Sequence, residues 1–103
     1  MTVRNKEQVL DLLRKYSPQL RLYGVKRCGL FGSFVRGEQN GASDVDILVE
    51  FEDGKKSFDN FMHTAFSLED VLGRKVDLLT PESLSPYIGP RILSEVEYAS
   101  IRA

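Results

Sequence analysis

The sequence predicts an α/β (α+β) protein: a small mixed β-sheet of three or four strands flanked by helices. Three observations carry that expectation. Segments with apolar residues at helical spacing alternate with short apolar runs of strand length. Glycine, proline and Asp-Gly punctuation separates them. The length of 103 residues fits a single domain, spanning 1–103, with a modest core. Alternation of helices and strands is the order of the layered α/β and α+β classes, and it leaves the strand order open.

The elements follow in chain order. A first helix is expected from about Asn5 to Tyr16, where Val9, Leu10, Leu13 and Tyr16 recur at helical spacing and Asn5 can cap, with Gln8 three residues on. Ser17-Pro18 interrupts it, and Pro18 opens a short helical turn through Tyr23 that Gly24 stops. Val25 to Phe31 reads as the first strand, with Lys26 and Arg27 as its solvated end. A short helix over 33–38 and a mobile loop over 39–43 follow, with Gly37 and Gly41 as ordinary loop glycines. Asp44 to Phe51 is the second strand, in which Glu50 reads as a salt-bridge or edge residue. Ser57 to Leu72 is a helix capped by Ser57 and stopped by Gly73. Its stripe of Phe58, Phe61, Met62, Ala65, Phe66 and Leu72 is assigned to the core. Lys75 to Thr80 is a third strand. Thr80-Pro81-Glu82 starts a helix, and Arg91 to Ala99 forms the last one.

The second strand carries the feature that needs explaining. Side chains alternate across a strand, so Val45, Ile47, Val49 and Phe51 form one row and Asp44, Asp46, Leu48 and Glu50 the other. Asp44 and Asp46 therefore project together, about 7 Å apart along the strand. Two unpaired carboxylates so close repel and are costly to desolvate. A divalent cation removes both problems, and Mg²⁺ is usually held by one or two carboxylates plus substrate phosphates. The preceding strand ends at Gly32-Ser33. Gly32 permits a positive φ or close approach of a ligand, and Ser33 offers a hydroxyl and an N–H at a helix start, where phosphates bind. Together these describe a site for a nucleoside triphosphate with Mg²⁺. The stretch lacks the lysine and spacing of a Walker A loop. Arg36, one helical turn beyond Ser33, reads either as a phosphate or acceptor contact or as a surface arginine paired with Glu38 or an aspartate. Asp77 interrupts the third apolar run as the earlier aspartates interrupt the second. Arg74 and Lys75 read either as phosphate contacts or as solvated cations.

Gly32-Ser33, ten residues, then Asp44-Val45-Asp46 resembles the signature of the DNA polymerase β-like nucleotidyltransferase superfamily. The wider stretches Leu30 to Glu38 and Ser43 to Val49 are similar to its minimal nucleotidyltransferases, the MNT proteins, commonly paired with HEPN-domain proteins. The resemblance covers nearly the whole chain. It implies the nucleotidyltransferase core without extra substrate domains. It implies that Asp44, Asp46 and Asp77 hold two Mg²⁺ ions, with Asp77 holding the catalytic metal or acting as base, and that Gly32 and Ser33, assisted by Arg36, bind the phosphates of ATP. It further implies transfer of AMP onto a hydroxyl, a tyrosine of a cognate HEPN toxin, which makes the chain an antitoxin. Two alternatives stand beside it: a non-catalytic nucleotide-binding antitoxin that occludes its partner, and a nucleotidyltransferase acting on a small molecule.

Composition narrows the rest. A formal net charge of −1 supplies no field to draw nucleic acid, so no direct nucleic-acid role is expected. The single cysteine, Cys28, excludes an internal disulfide, suits a reducing cytoplasm and is assigned to the core. With one histidine, His63, set off the apolar stripe, a His/Cys zinc site is not expected. No run is apolar and long enough to span a bilayer, and the N-terminus has no signal-peptide pattern. A homo-oligomer is compatible with the sequence. Tyr87 and Tyr98 read as packing residues, with partner contact or base stacking as the alternative.

Overall fold

The computed structural model describes residues 2–99. Its order is α1 (Lys6–Lys15), α2 (Ser17–Leu22), β1 (Val25–Phe31), α3 (Ser33–Arg36), β2 (Val45–Phe51), α4 (Phe58–Leu72), β3 (Val76–Leu79), a 3₁₀ turn (Pro81–Ser83), α5 (Gly89–Glu95) and β4 (Glu97–Ala99). The strands form one four-stranded sheet in the order β3-β2-β1-β4. β1 runs antiparallel to both β2 and β4, while β2 and β3 are parallel. The sheet is therefore mixed, as the sequence predicts.

The local chemistry explains most boundaries. Asn5 caps α1, its Oδ1 accepting the Gln8 N–H at 2.9 Å, and the Gln8 side chain accepts from Arg4 N rather than from the cap itself. Ser57 caps α4 in the same way through Asn60 N, and Gly73 closes that helix at φ 69°. Gly37, expected to be an ordinary loop glycine, is the left-handed cap of α3 at φ 73°, which ends the helix at Arg36 instead of Glu38. β2 begins at Val45, so Asp44 is the last residue of the loop before it.

Two further expectations need correcting. The core stripe of α4 is rotated: Thr64, Leu68 and Leu72 are buried, with Phe61 and Ala65 packed against the core, whereas Phe58 and Phe66 are 77% and 61% exposed. Counting large apolar residues favoured the phenylalanines over Thr64, whose hydroxyl is satisfied by donating to the Asn60 carbonyl at 2.7 Å. The last helix does not continue to Ala99. It ends at Glu95, and Glu97–Ala99 becomes the edge strand beside β1. Gly29 makes room for it: a Cβ there would lie 2.6 Å from Val96 Cγ2 and 2.9 Å from the Tyr98 ring. Likewise, the helix expected from Thr80 is a single 3₁₀ turn, closed by the Ser83 hydroxyl on the Thr80 carbonyl.

The core lies mainly on one face of the sheet. Val9 and Leu13 of α1, Leu20 of α2, and Leu68 and Leu72 of α4 cover Cys28, Leu30, Val45, Ile47 and Val49. Each fully buried aliphatic side chain contributes about 1.5–3 kcal/mol relative to exposure. On the other face, Leu48 packs with Phe31 and Ile92 in a smaller cluster under α5. β2 is thus covered on both faces, and its departures from apolar character stand out. Among the described residues, no helix is long and apolar enough to cross a membrane.

Candidate active site

The end of β1 and the starts of β2 and β3 meet at one end of the sheet. There the register sets Asp46 directly opposite both Phe31 on β1 and Asp77 on β3. Neighbouring strands lie about 4.8 Å apart, and residues directly opposite share a face of the sheet. Asp46 and Asp77 therefore project side by side, and Asp44 precedes Asp46 by two residues at the mouth of the loop. Asp44 and Asp77 are exposed, while Asp46 is half-buried. The crowding is visible in its acidity. Burial first, and then the charges of Asp77 and Asp44, raise the Asp46 carboxyl from 3.8 to about 6, against a smaller opposing pull from Arg36.

Gly32 lies against this carboxylate. Its φ of 77° belongs to glycine, and a Cβ on it would sit 2.0 Å from Asp46 Oδ2. The Gly32 carbonyl accepts from both Val35 N and Arg36 N, which winds the four residues of α3 onto the turn. Ser33 is half-buried at the start of α3. The turn thus adjoins Asp46, which in turn pairs with Asp77, while Asp44 stands in the loop before β2.

Arg36 adopts the paired arrangement. Its Nε donates to Glu38 at 2.7 Å and its Nη1 to Glu95 at 2.8 Å. Glu95, at the end of α5, is a residue that no sequence motif marks. Its second oxygen accepts the Gly32 N–H at 3.0 Å, so one carboxylate joins the turn to Arg36. Burial opposes its ionisation, but the Gly32 N–H and the Arg36 guanidinium outweigh this and hold the carboxyl below the ordinary glutamate range. Beside it opens a cavity of about 240 Å³, lined by Phe31, Gly32, Arg36, Ile88, Arg91 and Glu95. Sequence reasoning missed Glu95 because a helix through Ala99 places it on no particular face. A strand reading of Val96 to Ala99 is the signal that finds it.

Arg74 is an anchor in this structure rather than a solvated cation. Its Nε donates to the Val3 carbonyl at 2.8 Å, and its Nη1 donates at 3.0 Å to the carbonyls of both Asn40 and Ser43. Its guanidinium lies 5.2 Å from the Phe34 ring centre. It therefore ties down the loop that delivers Asp44. Lys75 is exposed. Glu50 pairs with Arg27 across the strands at 2.6 Å, as a salt-bridge residue should, and Arg27 also covers the Tyr98 ring at 4.0 Å. His63 is exposed, 5.5 Å from the Tyr23 ring and off this site. Cys28 is buried, and burial pushes its thiol up to about 12, which leaves it inert.

Among the described residues, no three His, Cys, Asp or Glu side chains come together as a group that could hold a metal ion, so Asp44, Asp46 and Asp77 do not form the three-carboxylate set the sequence suggests. Asp46 and Asp77, paired across the strands, are nevertheless hard carboxylate donors of the kind Mg²⁺ takes, and Gly32 puts no side chain beside Asp46.

A family model described as a nucleotidyltransferase domain matches residues 7–99. The protein adenylyltransferase MntA of Thermococcus cleftensis is 42% identical over 93 residues, covering 89% of this chain and 93% of its own. A candidate protein adenylyltransferase of Methanocaldococcus jannaschii is 47% identical over 85 residues, covering 82% of this chain and 90% of its own. Among solved structures, a candidate minimal nucleotidyltransferase is similar with a TM-score of 0.70 at 32% identity, covering 85% of this chain and 93% of its own. A chain of a toxin–antitoxin crystal structure with AMP-PNP has a TM-score of 0.64 at 26% identity, covering 92% of this chain and 72% of its own.

Proposed function

The chain belongs to the nucleotidyltransferase domain family, and on that premise we propose that it moves AMP from ATP onto a tyrosine hydroxyl of a HEPN-type toxin, acting as its antitoxin. The observation that carries this reading is the register pair of Asp46 with Asp77 beside the Gly32 turn. The adenylyltransferase name of the relatives supports the reaction, and the AMP-PNP in a toxin–antitoxin neighbour supports the nucleotide and the setting.

The residues divide the work as follows. Asp46 and Asp77 hold Mg²⁺, with Asp44 in the loop before them. When bound, that ion neutralises the triphosphate and polarises the phosphoryl oxygens. Gly32 lets the phosphate chain approach the backbone, and Ser33 donates to the β- and γ-phosphates. Arg36, ion-paired with Glu38 and Glu95, assists by shaping the same end of the turn. Asp77, exposed at the start of β3, would hold the catalytic ion or take the proton of the attacking hydroxyl. The tyrosine oxygen forms its bond to the α-phosphorus as the bond from that phosphorus to the bridging oxygen breaks, and pyrophosphate leaves. Catalysis of this kind is mostly positioning and charge neutralisation. It therefore suits a small domain whose partner supplies the acceptor.

The test is incubation with labelled ATP, Mg²⁺ and the neighbour-encoded partner. Covalent label on the partner, abolished when its acceptor tyrosine becomes phenylalanine, is the expected result. Tight association without label would replace this reading with occlusion, and label on a small molecule would replace it with small-molecule transfer.

A further inference from the structure

We infer that Glu95 is the positioning residue of the nucleotide-binding turn, acting through the Gly32 backbone and the Arg36 side chain. The inference rests on the reading of Gly32 and Ser33 as the seat of the triphosphate.

The C-terminal end of α5 delivers Glu95 to its place, two residues before β4 begins. β4 holds that end against β1, with Leu30 paired to Glu97 and Gly29 to Tyr98. The side chain is only 16% exposed, and its two oxygens take different partners. One accepts the Gly32 N–H at 3.0 Å and the other Arg36 Nη1 at 2.8 Å. Gly32 is thus held between two carboxylates, with Asp46 against its Cα and Glu95 on its N–H.

The turn needs such an anchor. α3 has four residues, far too few to hold a helical direction unaided. Its packing comes from Phe34 and Val35. Glu95 fixes both the residue that starts the turn and the arginine that finishes it. Charge-assisted hydrogen bonds of this type are roughly twice as strong as neutral ones. Neutralised by Arg36, Glu95 adds little repulsion toward an incoming phosphate. It leaves Ser33 as the donor that meets the ligand and sets where Ser33 points.

The test uses the full chain, Mg²⁺ and ATP, with Glu95→Gln and Glu95→Ala beside wild type. Glutamine keeps one acceptor oxygen and cannot serve both partners; alanine serves neither. The expected result is an ATP Kd raised about tenfold for alanine and less for glutamine, at a temperature where all three are folded. The Gly32 amide proton should also move upfield in both variants. A Kd that falls in Glu95→Ala would make the carboxylate a competitor of phosphate and overturn the inference. An unchanged Kd would overturn it too, whatever the melting temperature does, by leaving Glu95 a purely structural tie. Wild type that fails to bind ATP would instead overturn the nucleotide reading and this inference together. If the alanine variant does not fold, the glutamine variant decides on the same two readouts.

Discussion

At Asp46 the carboxyl is raised from 3.8 to about 6 by burial and by the charges of Asp77 and Asp44, so the folded chain holds that proton more tightly than the unfolded one. The sign follows from linkage. The cost to stability is absent below the ordinary carboxylate range, grows as pH rises through about 6 and is full at neutral pH. Asp46→Asn should therefore melt above wild type at pH 7 by a margin on the order of 1 kcal/mol after solvent screening, and the margin should close near pH 4. A margin independent of pH would contradict this account. Adenylyl transfer by the same variant should fall by about 10²-fold or more. Gly32→Ala tests the neighbouring position. Its Cβ would meet Asp46 Oδ2 at 2.0 Å and its φ of 77° is strained for alanine, so a stability loss of about 1–3 kcal/mol and loss of transfer are expected. Denaturant melts and label-transfer assays would check both.

At the scale of elements, the loop before β2 depends on Arg74, whose three carbonyl contacts reach Val3, Asn40 and Ser43. Lysine keeps the charge but lacks the planar fork. Arg74→Lys should cost about 1–2 kcal/mol in denaturant melts and lower turnover, since Asp44 would be delivered by a looser loop. Unchanged stability and turnover would show that the loop holds itself. Which elements were readable follows the same physics. Capped, periodic α1 and the apolar strands β1 to β3 declare themselves locally, as do the Gly-Ser turn and the aspartates that break apolar runs. The role of Gly37, the exposure of Phe58 and Phe66, and the end of α5 depend on tertiary partners. β4 is the clearest case: Val96 to Ala99 fits a helix by periodicity, and only the space beside Gly29 makes it a strand. Glu95 was lost with it, and so was the second contact of Arg36. The anchoring role of Arg74 was hidden for a similar reason, because its partners are backbone carbonyls that no side-chain pattern marks.

On the scale of the molecule, β3 and β2 set Asp77 beside Asp46, the turn after β1 brings Gly32 against Asp46, and the end of α5 reaches the same turn through Glu95. Both faces of β2 are covered by apolar packing, so Asp46 stands on an internal, doubly covered strand. That arrangement fixes the spacing of Asp46 and Asp77, the pair on which the proposed site depends. The most direct measurement compares ATP labelled at the α-phosphate with ATP labelled at the γ-phosphate, each with Mg²⁺ and the partner. The account predicts covalent label on the partner from the α-position alone, abolished by a chelator and in Asp46→Asn. Label from the γ-position, or α-label that persists in Asp46→Asn, would contradict it.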